Sequence, residues 1–198
     1  DEAPDIESIA QKIADGVAAE CAELGIDLPV LAFEPGRIIV GPTGVTLYTV
    51  GTIKDVALSE EGAGAVRKYV SIDGGMSDNA RPSLYDAAYT VRLASRASSA
   101  QPALVRVVGK HCESGDIVVR DDYLPADISN NDIVAVAATG AYCSSLSSNY
   151  NMLTRPPVVA ISQGQARLIV RGETEADLFA RDLRYQELLN SLSLNGKD

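Results

Sequence analysis

Lys110-His111-Cys112-Glu113-Ser114-Gly115-Asp116 puts the only histidine of the chain beside a thiol and a carboxylate, with a second carboxylate three residues on. Imidazole, thiol and carboxylate are the side chains that move protons or attack carbonyl carbon near neutral pH. A nucleophilic Cys–His pair needs both groups on one side, however, and an extended 110–113 sends His111 and Cys112 to opposite faces. The same alternation separates Cys112 from Glu113. The segment therefore reads as side chains with separate tasks, with no role for His111.

Three further stretches carry chemistry-capable groups. Glu34-Pro35-Gly36-Arg37 follows a short apolar run and offers a carboxylate, an unobstructed backbone amide and a guanidinium. At the C-terminal end of a buried strand that is a functional position, although a tight turn with an incidental ion pair has the same spelling. Arg81 and Tyr85 stand four apart, the spacing that puts a guanidinium and a phenol on one side of a helical turn, where they suit a carboxylate. They serve equally as surface residues at a domain edge. The glycine pair of Asp73-Gly74-Gly75, just upstream, spells a bulge or a turn. Residues 140–151, GAYCSSLSSNYN, are dense in hydroxyls and amides with two tyrosines. Such a loop grips a phosphate or satisfies its own backbone.

The elements that must position these groups come in two styles. Ile6, Ile9, Ile13, Val17, Cys21 and Leu24 recur at helical spacing, with Asp5 as N-cap and Gly25 as the stop. Pro29 to Phe33 is wholly apolar, as in a parallel strand buried on both faces. Helix, loop and buried strand are the grammar of an α/β barrel or a doubly wound sheet. From about residue 44 the pattern changes to eight short β segments, 45–53, 68–72, 89–93, 104–108, 117–119, 133–137, 158–161 and 167–170, parted by Gly, Asp, Asn and Pro. These predict a mostly antiparallel β-sandwich or β-barrel over 44–198, with one late helix over about 173–183 and a frayed end at SLNGKD. One helix and one strand cannot bury their own apolar faces, so residues 1–43 read as the end of a larger α/β barrel whose remainder lies outside the chain.

Composition narrows the function classes. Forty-six per cent hydrophobic residues over 198 support a real core. Seventeen basic against 27 acidic residues leave a net charge of −10 with no basic stripe, which argues against nucleic acid and anionic membranes. Cys21, Cys112 and Cys143 are widely spaced with no CxxC, which points to reduced thiols and away from a metal site or disulfide framework. No run approaches the roughly 18 apolar residues of a membrane span. The acidic start DEAPDIES is unlike a signal peptide. A soluble, cytoplasmic protein is expected.

Taken in order, Glu-Pro-Gly-Arg, DGGMSDNARPSLYDA, CESGD and GAYCSSLSSNYN with RPPVV behind it closely resemble the C-terminal half of the diaminopimelate decarboxylase family. These pyridoxal 5'-phosphate-dependent decarboxylases join an alanine-racemase-like α/β barrel to a β domain. The resemblance covers nearly the whole chain. It implies conversion of meso-2,6-diaminopimelate to L-lysine and CO2. Glu34 matches the carboxylate facing the cofactor's pyridine nitrogen, Gly36 the amide at its phosphate, and Tyr142 a phenol at that phosphate and the substrate. Arg37, Arg81 and Tyr85 match the holders of the non-reacting substrate carboxylate, Glu113 the partner of the distal ammonium, and Cys112 the catalytic thiol near the carbon to be reprotonated. In the family Cys112 and Glu113 reach into the partner subunit's site, so the resemblance implies a homodimer with shared active sites.

None of the five lysines, Lys12, Lys54, Lys68, Lys110 and Lys197, resembles the one that binds the cofactor. Activity is thus expected only with the N-terminal barrel, as a preceding segment or a companion chain. Two alternatives stay open: a decarboxylase of another basic amino acid such as ornithine or arginine, differing at Arg81, Tyr85 and Glu113, and a non-catalytic dimerisation module.

Overall fold

Alternate apolar side chains build the sheet that dominates the structure, a computed structural model that describes residues 5–58 and 64–195. The chain divides into two compact units, Asp1–Pro35 and Gly36–Asp198. In the second, β1 (Val45–Ala57), β2 (Val66–Ile72), β3 (Val91–Leu93), β4 (Pro102–Val108), β5 (Ile117–Pro125) and β6 (Ile133–Ala137) form one sheet in the order β3-β6-β1-β2-β4-β5. Tyr48 and Val50, Val70 and Ile72, Val105 and Val107, and Val134 and Val136 are buried two apart on their strands, the period of a pleated face turned to a core. The two outer strands are linked through a side chain: Asp122 of β5 accepts from the Val91 N–H of β3 at 2.8 Å and from Arg92 Nη1 at 3.1 Å. The sheet is thereby a nearly closed barrel.

All eight β segments expected from the sequence are present. The last two form a separate antiparallel hairpin, β7 (Val158–Ser162) with β8 (Gln165–Val170). The pairing is antiparallel except between β2 and β4, which run parallel with Lys68 opposite Val105 and Ser71 opposite Val108. The chain between them, 73–101, leaves the end of β2, forms α3 (Arg81–Tyr85), supplies β3 and only then returns. That detour makes the parallel pairing possible, because parallel neighbours need a crossover where antiparallel ones need a turn.

In the first unit, α1 (Ile6–Leu24) starts where Asp5 accepts from the Ser8 N–H at 3.1 Å and stops at Gly25, whose φ of 66° is left-handed. The strand expected at Pro29–Phe33 is not formed: the stretch has no sheet partner among the described residues, and Val30 is 99% exposed. A strand of the parallel kind exists only between hydrogen-bonded neighbours, and the described residues of this unit, 5–35, contain none. The single late helix is also corrected. α4 (Glu175–Leu178), begun by a reciprocal Thr174–Asp177 cap, ends at Phe179, and α5 (Leu183–Asn195) begins anew where the Asp182 carboxylate accepts from the N–H groups of Arg184 and Tyr185 at 3.0 and 3.2 Å. The expected fraying covers Ser193–Asn195, which are helical, and 196–198, which lie outside the described residues.

Candidate functional site

Two glycines let the backbones of separate loops touch at the start of the second unit. α2 (Gly36–Val40) runs into a tight turn at Gly41–Thr43, and the loop after β6 docks on it, with Thr139 N–H donating to Gly44 O at 3.0 Å and Gly140 N–H to Gly41 O at 3.1 Å. A Cβ at Gly140 would overlap the Val40 carbonyl, and one at Gly44 would strike the Gly140 backbone. The contact brings the side chains of Arg37 and Ala141 together over the side-chain face of Gly41. Tyr142 follows at a left-handed φ of 62° and is 51% exposed.

Arg81, at the start of α3, reaches the same region. Its Nη1 donates to the Tyr89 hydroxyl at 3.0 Å, and its guanidinium carbon lies 5.9 Å from the Tyr89 ring and 5.8 Å from the Tyr142 ring. A cation between two aromatic rings is held in place without losing all its donors. The Tyr89 oxygen lies 3.6 Å from the buried Cys143 thiol, which also donates to Asn79 Oδ1 at 3.4 Å. Burial pushes both the Tyr89 phenol and the Cys143 thiol up. The Arg37 guanidinium and the Tyr142 hydroxyl make no hydrogen bond among the described residues. The free Arg37 and Tyr142 donors and the Arg81 donors that Tyr89 leaves unused thus form a donor-rich set, which suits a phosphate or a carboxylate.

Tyr85 is 66% exposed at the other end of α3 and shares no hydrogen bond with Arg81 among the described residues. It borders a groove of about 520 Å³ with Ser83, Asp86, Ile117 and Arg120. Glu34 is exposed in the first unit, and Gly36 has open space on its side-chain side.

The HCESG segment is folded, not extended. A turn closes it, with Asp116 N–H donating to Glu113 O at 3.0 Å and Ile117 N–H to Gly115 O at 2.8 Å. The expectation that Cys112 and Glu113 point apart is therefore wrong, because strand alternation holds only for extended backbone. The Cys112 thiol donates to Glu113 Oε1 at 3.5 Å, and the Tyr150 hydroxyl donates to the same oxygen at 2.5 Å. The hydrogen bond from Tyr150 is the largest cause holding the Glu113 carboxyl below its usual range, and Glu113 in turn pushes the Tyr150 phenol up. Glu113 Oε2 is shielded from solvent and has no partner among the described residues. His111 Nε2 lies 3.0 Å from Ser77 Oγ.

Sequence reasoning passed over the hub that joins these two groups. Asp116, 3% exposed, accepts from the Met76 N–H at 2.7 Å and from the His111 N–H at 2.8 Å, while Lys110 N–H donates to Gly74 O at 3.0 Å. One buried carboxylate thus ties the loop 73–79 to the loop 109–115. Gly75, at φ 154°, and Gly109 leave it room, since a Cβ at either would run into the carboxylate. Within loop 73–79, Asp78 accepts from the Gly75 N–H at 2.8 Å and from the Tyr48 hydroxyl. Burial pushes the Asp78 carboxyl up, with the Tyr48 bond opposing it. The signal for the hub was the density of Gly and Asp in both loops. The signal for Tyr150 was a second tyrosine in the loop already picked for Tyr142. All three cysteines are free, no group of three metal-ligating side chains occurs among the described residues, and no helix there is long and apolar enough to cross a membrane.

Residues 27–140 match the family described as pyridoxal-dependent decarboxylase, C-terminal sheet domain. The chain is 59% identical over 184 residues to a diaminopimelate decarboxylase of Mycobacterium leprae, covering 93% of this chain and 38% of that protein. It is 56% identical over 184 residues to one of Mycobacterium bovis, covering 93% and 40%. The crystal structure of diaminopimelate decarboxylase from M. jannaschi superposes with a TM-score of 0.76 at 31% identity, over 92% of this chain and 39% of that one. The chain therefore spans about two-fifths of the length of the relatives it matches.

Proposed function

Since the chain belongs to the pyridoxal-dependent decarboxylases through their C-terminal sheet domain, we propose that it is the C-terminal portion of a diaminopimelate decarboxylase, converting meso-2,6-diaminopimelate to L-lysine and CO2. The observation that carries this reading is the identity of 56–59% over 184 residues with relatives of that name. On this reading residues 1–43 are the end of the cofactor-binding α/β barrel and 44–198 are the β domain. The rest of the barrel and its cofactor lysine have their counterpart outside residues 1–198. The functional unit is a homodimer in which Cys112 and Glu113 serve the partner subunit's site.

The donors that Arg37, Arg81 and Tyr142 keep unused support a fit to the cofactor and substrate, since the phosphate and the carboxylate are both anionic. When bound, pyridoxal phosphate supplies a protonated ring that accepts the electron pair left as the C–C bond to CO2 breaks. Glu34 keeps the proton on the ring nitrogen. The Gly36 amide and the Tyr142 hydroxyl hold the phosphate, Gly36 because no side chain stands in the way. Arg37 and Arg81, with Tyr85, hold the carboxylate of the end that does not react, Arg81 already oriented by Tyr89. Glu113 receives the distal ammonium, and Cys112 keeps a proton at Sγ for the carbon that has lost CO2.

The test is the full-length protein supplied with pyridoxal phosphate. It should release CO2 and lysine from meso-diaminopimelate, and Glu113→Ala should raise KM while cofactor absorbance is retained. Release of CO2 from ornithine or arginine in its place, or an unaffected Glu113→Ala variant, would overturn the assignment.

A further inference from the structure

Glu113 is prepared on one side only. Its Oε1 takes hydrogen bonds from both Tyr150 and Cys112, while Oε2, shielded from water, takes none among the described residues. A buried carboxylate oxygen left open is costly unless a donor arrives. The phenol that holds the other oxygen is itself held. The Tyr150 ring lies 5.5 Å from the His111 ring at 50°, and His111 is fixed at both ends, through Nε2 to Ser77 Oγ at 3.0 Å and through its N–H to Asp116 at 2.8 Å. The loop that carries Tyr150 is tied to the same place, with Ser148 N–H donating to Ser77 O at 2.8 Å and Tyr150 N–H to Ser148 Oγ at 3.4 Å.

We propose that Tyr150 is a positioning residue for substrate recognition: its hydroxyl pins Oε1 of Glu113 so that Oε2 stays turned to the incoming ammonium, with His111 bracing the phenol. This rests on the decarboxylase reading and deepens it. A single carboxylate then does two jobs at two oxygens, receiving a cation at one and keeping the Cys112 thiol beside the site at the other. Without the phenol, Glu113 has only the weak thiol donor to orient it and can rotate its oxygens freely.

Charge follows the same geometry. The groups facing Glu113 are Tyr150, Cys112 and His111. Because Tyr150 favours the ionised carboxylate, its removal lets the Glu113 pKa rise toward the ordinary value. The acid limb of kcat/KM, which needs ionised Glu113 to receive the ammonium, then moves to higher pH.

The experiment uses the full-length protein with pyridoxal phosphate bound and compares wild type, Tyr150→Phe, Glu113→Gln and the double variant. Tyr150 is 43% exposed, and Tyr150→Phe, which removes only its hydroxyl, should melt close to wild type. Its KM for meso-diaminopimelate should rise about tenfold, as for loss of a hydrogen bond to a charged group, with kcat nearly unchanged. The acid limb should shift upward. In the Glu113→Gln background the same change should alter KM less than about twofold, because the two residues act as one unit. Additive effects in the double variant, or an unmoved acid limb, would overturn the role of Tyr150 and leave the decarboxylase reading intact. Wild-type protein that released no CO2 from meso-diaminopimelate would instead overturn both.

Discussion

Replacing Asp116 by alanine tests whether one buried carboxylate holds the loops 73–79 and 109–115 together. Its oxygens accept from the backbone N–H groups of Met76 and His111 at 2.7 and 2.8 Å, at a position only 3% exposed. Alanine supplies no acceptor, and Gly75 and Gly109, which lie against the carboxylate, offer no side chain that could substitute. Hydrogen bonds to a charged acceptor contribute about 1.5–3 kcal/mol each, so two lost bonds cost about 3–6 kcal/mol. In a protein stable by roughly 5–15 kcal/mol that is a large share. At about 2–4 °C per kcal/mol, the melting temperature should fall by about 6 °C or more. The assay is thermal unfolding followed by circular dichroism, on wild type, Asp116→Ala and Asp116→Asn. Asparagine keeps one acceptor but turns a donor toward the other N–H, so it should rescue little. A change below about 2 °C in both variants would refute the claim that Asp116 joins the loops.

Two further outcomes are expected. Tyr89→Phe removes the oxygen that accepts from Arg81 Nη1 but keeps the ring, so KM for a substrate carboxylate held by Arg81 should rise about fivefold with kcat little changed. Steady-state kinetics on the full-length protein would check it. Asp132 accepts from Arg96 Nε and Nη2, both at 2.8 Å, and from the Ser129 N–H at 2.9 Å, and the Arg96 pair foremost holds its carboxyl far below the usual range. A group depressed in the folded state adds stability above its unfolded pKa of about 3.9 and loses it as pH falls through the folded value. Melting temperature should thus decline below about pH 4, and Asp132→Asn should be less stable than wild type at pH 7 with a flatter acid decline.

The β segments could be read from alternation because a half-buried strand writes its period of two into the chain: Val134 and Val136, or Val105 and Val107, face one core with their neighbours turned away. The helix of residues 6–24 was equally legible, since Asp5 and Gly25 satisfy its ends with local groups. Pro29–Phe33 was not, because an apolar run records only that it wants burial and a strand also needs a neighbour. The broken late helix turned on Asp182, a capping residue that sits unremarked inside a helical pattern.

The sequence alone determined the residue types at the site and their order: a thiol and a carboxylate at 112 and 113, guanidinium groups at 37 and 81, phenols at 142 and 150. Only the tertiary structure decided their company. Arg81 meets Tyr142 across 61 residues of chain, and Glu113 meets Tyr150 across 37. Spacing along a chain specifies neighbours only within one helix or strand; across loops, contact depends on where the strands deliver the chain. Here that depends on glycines admitting Asp116 and on Gly140 admitting the backbone of Val40.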